Sequence, residues 1–177
     1  LKRTENYPHT LHQGLEIGIQ AASKPHFFGR NIGTFTLGAV YDYSRFIFKG
    51  GKYDGKYLAG IPKHYVNASL DYRHSSGLNG SVALELKPGK TPIDHTNTMF
   101  QPAYHVWNAR LGYQLGKHIN VYAEMKNIAN RRYASSYIVS DEIHQPAIPF
   151  PNFTAHQQTF FIPGPVRSVY AGLTWRW

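Results

Sequence analysis

Residues 104–127 read YHVWNARLGYQLGKHINVYAEMKN, and this stretch decides the fold. Trp107, Ala109, Leu111, Tyr113 and Leu115 alternate with Asn108, Arg110, Gly112 and Gln114. After Gly116-Lys117-His118 the alternation resumes, with Ile119, Val121, Ala123 and Met125 set against Asn120, Tyr122, Glu124 and Lys126. A period of two puts successive side chains on opposite faces of an extended strand, and so short a link between two such runs makes a hairpin.

Working outward, the same pattern recurs at 167–177, 80–88, 64–74, 33–44 and 12–22, while helical periodicity is hard to find. Val169, Ala171, Leu173, Trp175 and Trp177 alternate to the last residue. The apolar series are Val82, Leu84, Leu86; Val66, Ala68, Leu70, Tyr72; Phe35, Leu37, Ala39, Tyr41, Tyr43; and Leu15, Ile17, Ile19, Ala21. Opposite them stand Gly, Ser, Thr, Asn and the charged residues Glu16, Asp42, Asp71, Arg73, Glu85 and Lys87. The expectation is an all-β chain: an antiparallel up-and-down meander of about seven strands, each pairing with its sequence neighbours.

The links run 23–32, 45–63, 75–79, 89–103, 116–118 and 128–166, so long and short connections alternate. All long loops then lie at one end of the sheet and the tight turns at the other. A transmembrane β-barrel has this asymmetry, whereas a β-sandwich has no reason to sort its loops. With Trp177 at the short-turn end, Phe35, Tyr72, Tyr113, Trp175 and Trp177 gather there on the apolar face, and Tyr41, Tyr43 and Trp107 gather at the other end. Aliphatic residues fill the band between. Amphipathic rings settle at headgroup level, so two aromatic belts around an aliphatic band are what a bilayer selects.

Composition agrees and excludes alternatives. The 177 residues include 15% aromatics against 16% charged residues, which is far from a disordered chain. Mean hydropathy is −0.42 and no apolar run approaches a membrane-spanning helix, but barrel strands average to such values. There is no Cys, hence no disulfide, thiol nucleophile or Cys-based zinc site. The net charge of +9 is spread along the chain without a recognition element, so no nucleic-acid partner is expected. The chain starts LKRTENYPHT, with neither Met nor an apolar leader, and a finished barrel needs an even strand number with closed edges; the expectation is a piece of a larger barrel.

Four stretches carry a family resemblance. Ile119 to Tyr133, ending Asn127-Ile-Ala-Asn-Arg-Arg-Tyr133, resembles the penultimate strand of TonB-dependent outer-membrane receptors. Pro163-Gly-Pro-Val-Arg167 leading into an aromatic end is similar to the last strand of that family. Gly60-Ile-Pro-Lys-His-Tyr65 and Thr10-Leu-His-Gln-Gly-Leu-Glu16 resemble its strand entries. The resemblance implies that residues 1–177 form the C-terminal segment of a plugged 22-strand barrel. It further implies an outer-membrane location in a Gram-negative bacterium and uptake of a ferric siderophore or similar metal chelate. TonB would couple through an N-terminal region, and the barrel-assembly machinery would read Val169, Ala171, Leu173, Trp175 and Trp177.

No catalytic constellation stands out: the serines lack a nucleophile-elbow context, the glycines form no phosphate loop, and the carboxylates face compensating cations. No enzyme activity and no resident cofactor are expected. His9, His12, His64, His95, His105, His144 and His156 fall in outer loops or at strand entries, without the spacing of a strong metal signal. The outer loops combine rings with cations, which supply stacking and charge-assisted contacts to an anionic chelate. Candidate ligand-binding residues are Arg45, Lys49, Tyr53, Tyr57, His95, Arg132, Tyr137, His144 and His156. Competing readings are a porin-like or adhesive outer-membrane barrel and a soluble all-β binding module.

Overall fold

The alternating runs become seven strands of one sheet in the computed structural model, which describes residues 9–27, 29–140 and 158–177. The strands are β1 (Thr10–Ala22), β2 (His26–Phe27), β3 (Arg30–Asn31), β4 (Thr34–Phe48), β5 (His64–Arg73), β6 (Leu78–Lys87), β7 (Thr91–Pro92), β8 (Phe100–Gln101), β9 (Tyr104–Leu115), β10 (Ile119–Lys126), β11 (Ala134–Ser140), β12 (Gln158–Pro163) and β13 (Ser168–Trp175). The large sheet runs β1-β4-β5-β6-β9-β10-β13, every neighbour antiparallel. β1 and β13 occupy opposite edges, so the expected open meander is what forms.

Register keeps the two faces separate across all seven strands. One row reads Ile19↔Ala39, Ala39↔Ala68 and Ala68↔Leu84; another reads Gly80↔Leu111, Leu111↔Ala123 and Ala123↔Ala171. Directly opposed residues share a face. Leu15, Leu37, Leu70, Leu84, Leu111, Val121 and Leu173 therefore stand on the same side, and Leu111 is 61% exposed there. The other side carries Glu16↔Asp42, Asp42↔Tyr65, Asn67↔Glu85 and Arg110↔Glu124. A slip of one residue in any pair would exchange the faces.

Three links contain hairpins of their own: β2–β3, β7–β8 and β11–β12. β4 also runs past residue 44 to Phe48, because Arg45-Phe-Ile-Phe48 holds no turn residue and is rich in strand formers. The chain leaves the strand only at Gly50 and Gly51, whose φ values of 74° and 64° lie in the left-handed region that glycine tolerates. A 3-10 turn, Gly51–Tyr53, follows at once. At the far end, the Arg176 N–H donates to the His118 carbonyl at 2.8 Å, tying the chain end to the β9–β10 turn.

Close approach explains Gly172, which sits opposite Tyr122 on the polar face. A Cβ there would meet the Tyr122 ring at 2.5 Å, and the same ring carries the Arg110 guanidinium 4.0 Å from its centroid. Gly18 is the contrasting case, with open space around a built Cβ. Gly172→Val is expected to lower stability by about 1–3 kcal/mol through forced displacement of Tyr122. Gly18→Val should cost clearly less in the same urea titration; equal midpoints would refute the packing account.

Candidate functional site

The long-link end of the sheet gathers the functional candidates in three groups. The first is a staple between the loops that follow β4 and β6. Asn97, at φ 55°, accepts the Tyr57 N–H at 2.7 Å and returns an amide hydrogen to the Tyr57 carbonyl at 2.9 Å. The Gly60 N–H donates to the Pro92 carbonyl at 2.8 Å. His95 packs edge-on against Phe48 at 5.0 Å and lies 5.9 Å from Tyr53. Three of the predicted residues, Tyr53, Tyr57 and His95, thus come together, and they do so by joining two loops into one rim.

Asp94 organises the second of these loops. Its buried carboxylate accepts the N–H groups of Thr98 and Met99 at 3.0 and 2.8 Å, the Thr98 hydroxyl at 2.8 Å and the Thr96 hydroxyl. Burial alone would raise the carboxyl, but these donors outweigh it and hold it at about 2, down from 3.8.

The second group lies on the polar face just inside the rim. The Tyr104 hydroxyl donates to Glu85 Oε1 at 2.9 Å, and the Tyr133 ring sits 4.6 Å from that of Tyr104. Lys87 Nζ lies 5.0 Å from the Tyr104 ring centroid and 6.0 Å from that of Tyr65. Burial first, and then the charge of Glu85, pushes the Tyr133 phenol above its ordinary value. Rings, a cation and a carboxylate thus share one wall, fit to stack and hydrogen-bond a polar aromatic ligand. Deeper on the same face, Arg110 covers Tyr122, and Lys126 lies 3.7 Å from Glu124 and 5.4 Å from the Tyr170 ring.

The third group is a knot where β10 ends. Asn127 is 2% exposed with φ 48°. Its N–H donates to Asn108 Oδ1 at 3.0 Å, its amide donates to the carbonyls of Arg131 and Pro165 at 2.9 and 2.8 Å, and its Oδ1 accepts the Arg131 N–H at 2.8 Å. Asn130 adds an acceptor for the Arg167 N–H at 3.2 Å. The stretch that carried the family resemblance is therefore a fastener between the exit from β10 and the entry to β13. It fixes the root of the β11–β12 hairpin, on which Tyr137 faces Phe161 at 6.5 Å.

The remaining candidates scatter. Lys49 and Arg132 are exposed, and the backbone N–H of Lys49 donates to the His9 carbonyl at 3.0 Å. Arg45 shares its face with Tyr43 and Gln13, on the apolar side. His144 and His156 lie outside the described residues. Among the described residues no three His, Asp or Glu side chains stand close enough to share a metal ion. Tyr65, Glu85, Lys87, Tyr104 and Tyr133 were missed by sequence reading because strand register alone brings them together. The only advance signal was their parity, which places Tyr65, Glu85, Lys87 and Tyr104 on the polar face.

A sheet with one uncovered apolar face, a charged opposite face and all long loops at one end is a segment of barrel wall. Residues 2–128 match the family model described as TonB dependent receptor-like, beta-barrel, and the chain belongs to that family. Its members are receptors and transporters, not enzymes. Three solved structures share the fold. The siderophore receptor PiuA from Acinetobacter baumannii aligns with a TM-score of 0.70 and 16% identity, covering 94% of this chain and 22% of that one. The ferric yersiniabactin uptake receptor FyuA from Yersinia pestis gives 0.60 and 17%, covering 92% and 23%. BauA, the ferric preacinetobactin receptor from A. baumannii, gives 0.52 and 14%, covering 94% and 27%. The chain thus spans about a quarter of the length of the structures it matches. No curated protein matches the sequence.

Two outcomes follow from the hydrogen bonds at the rim. Because the Asp94 carboxyl is depressed from 3.8 to about 2 on folding, its contribution is present above the unfolded value and lost as pH falls through about 2. Amide exchange at Thr98 and Met99 should accelerate between about pH 4 and 2, and Asp94→Asn should lack that step. Asn127→Ala removes a buried amide together with its three bonds to the backbone of Arg131 and Pro165 and should cost about 2 kcal/mol, against about 1 kcal/mol for Asn130→Ala, which removes one. Equal losses in thermal unfolding would contradict the central place of Asn127.

Proposed function

We propose that residues 1–177 form the C-terminal segment of the barrel of a longer TonB-dependent receptor. In this reading the receptor sits in the outer membrane of a Gram-negative bacterium and imports a ferric siderophore or similar metal chelate. The observation that carries the reading is the sorting of charge. Glu16, Asp42, Asp71, Glu85 and Glu124, every carboxylate in the described large sheet, share the polar face, and the opposite face is aliphatic between two aromatic belts. Hydrocarbon tolerates that second face and penalises the first.

The sheet is the wall between lipid and lumen, and the long-loop end is the mouth. Ligand meets the stapled rim bearing Lys49, Tyr53, Tyr57 and His95, then the Tyr65, Tyr104 and Tyr133 rings with Lys87 and Glu85. Arg132 and Tyr137 flank the mouth from the β11–β12 side. Aromatic faces and cations suit an anionic chelate. Force from TonB reaches the receptor through an N-terminal region, and β13 with its outward Val169, Ala171, Leu173 and Trp175, followed by Trp177, engages the barrel-assembly machinery by offering a strand edge.

The test uses the intact receptor in a Gram-negative host. Cells are offered radioiron bound to a panel of hydroxamate, catecholate and mixed chelators, with and without TonB. Uptake of at least one chelate that vanishes without TonB is expected; uptake independent of TonB would favour a passive porin. Leu111→Arg, on the lipid side, should cost ~2–4 kcal/mol and deplete the folded receptor. Arg110→Leu, one residue away on the lumen side, should be far milder.

A further inference from the structure

We propose that the outward face of β4 and β5, at the long-loop rim, binds the phosphate of an anionic lipid headgroup through Arg45 and Lys63. This rests on the membrane-wall reading above and goes beyond it, because it assigns a lipid site.

Arg45 breaks the charge sorting. The other cations within the described large sheet, Arg73, Lys87, Arg110 and Lys126, share the face of the carboxylates. Arg45 alone lies on the opposite face, opposed to Gln13 and two positions beyond Tyr43. Its Nη1 donates to Gln13 Oε1 at 2.9 Å, which orients a guanidinium that has further donors to give. Lys63 follows the Gly60-Ile-Pro turn and brings its ammonium to 6.0 Å from the Tyr43 ring centroid. His64 packs 5.4 Å from the same ring, and its Nδ1 pairs with the Tyr41 hydroxyl at 2.8 Å. Arg45 thus stands two positions beyond the belt tyrosine that Lys63 approaches, and no carboxylate shares this face within the described large sheet.

Depth decides what they meet. Tyr41, Tyr43 and Trp107 form the belt that settles at headgroup level. Two residues of strand carry Arg45 about 7 Å further from the hydrocarbon, which is where lipid phosphates lie. A guanidinium grips a phosphate through paired N–H donors, and an ammonium adds a compact charge beside it. A solvated surface cation would need neither the Gln13 contact nor a neighbouring cation held against the belt.

The test is lipid retention by the intact receptor in native mass spectrometry. Diphosphorylated lipid A is the probe and its fully dephosphorylated form the reference. Wild type should retain the phosphorylated lipid at least tenfold more strongly, and the double variant Arg45→Gln/Lys63→Gln should lose roughly that factor for it. Retention of the dephosphorylated lipid should not change, which separates a lost site from a misfolded wall. Arg73→Gln, which removes a cation from the lumen face instead, should behave as wild type. Equal retention of both lipids by wild type, or an undiminished preference in the double variant, overturns the proposal. Wild-type protein that fails to insert into phosphatidylcholine vesicles would overturn the membrane reading itself, so the two failures are distinguishable.

Discussion

Each inner strand of the large sheet spends its backbone N–H and C=O groups on two neighbours, and everything else in the structure depends on that pairing. Only a backbone satisfied within the sheet can present a face as apolar as the one bearing Leu15, Leu70, Leu111 and Leu173 with no described segment folded over it. Ordinary globular packing is correspondingly thin: among the described residues the buried apolar side chains, Ile47, Phe48, Tyr104, Val106 and Ala134, cluster at the long-loop end. Stability in the body of the sheet comes from its ladders and from contacts between opposed residues such as Phe35 and Tyr72, whose rings lie 4.7 Å apart.

The rim is held by polar side chains instead. Asn97 and Asn127 each adopt positive φ, and each bonds segments distant in sequence through a primary amide. Their effects complement one another: Asn97 locks the loop after β4 to the loop after β6, and Asn127 locks the β10 exit to the β13 entry. A rim so fixed holds its tyrosines and lysines in set positions, and on the proposed function that lowers the ordering cost of binding.

The fold was legible because a period of two survives in sequence whatever the strand pairs with. The runs at 104–115 and 119–127 were assigned nearly to the residue. Reading failed where pattern gives way to partner. The sequence pattern ends at Ser44, because Arg45-Phe-Ile-Phe48 sets a cation on the apolar face and two rings on the polar one, and so the outward parity of Arg45 shows only in the register. The family-like stretch at Asn127 was recognisable as a motif, but its role needs Asn108 and Pro165, which only the register supplies. The Tyr104, Glu85 and Tyr133 cluster joins three separate elements and left no local trace.

The central claim is that adjacent residues of one strand face different solvents. It is tested most directly by placing a spin label, one position at a time, at residues 107 to 114 of the intact receptor in lipid bilayers. Collision with dissolved oxygen and with a water-soluble nickel chelate is then measured at each position. The account predicts a strict two-residue alternation, with oxygen dominant at 107, 109, 111 and 113 and nickel dominant between them. A flat profile, or a period near 3.6, would contradict it.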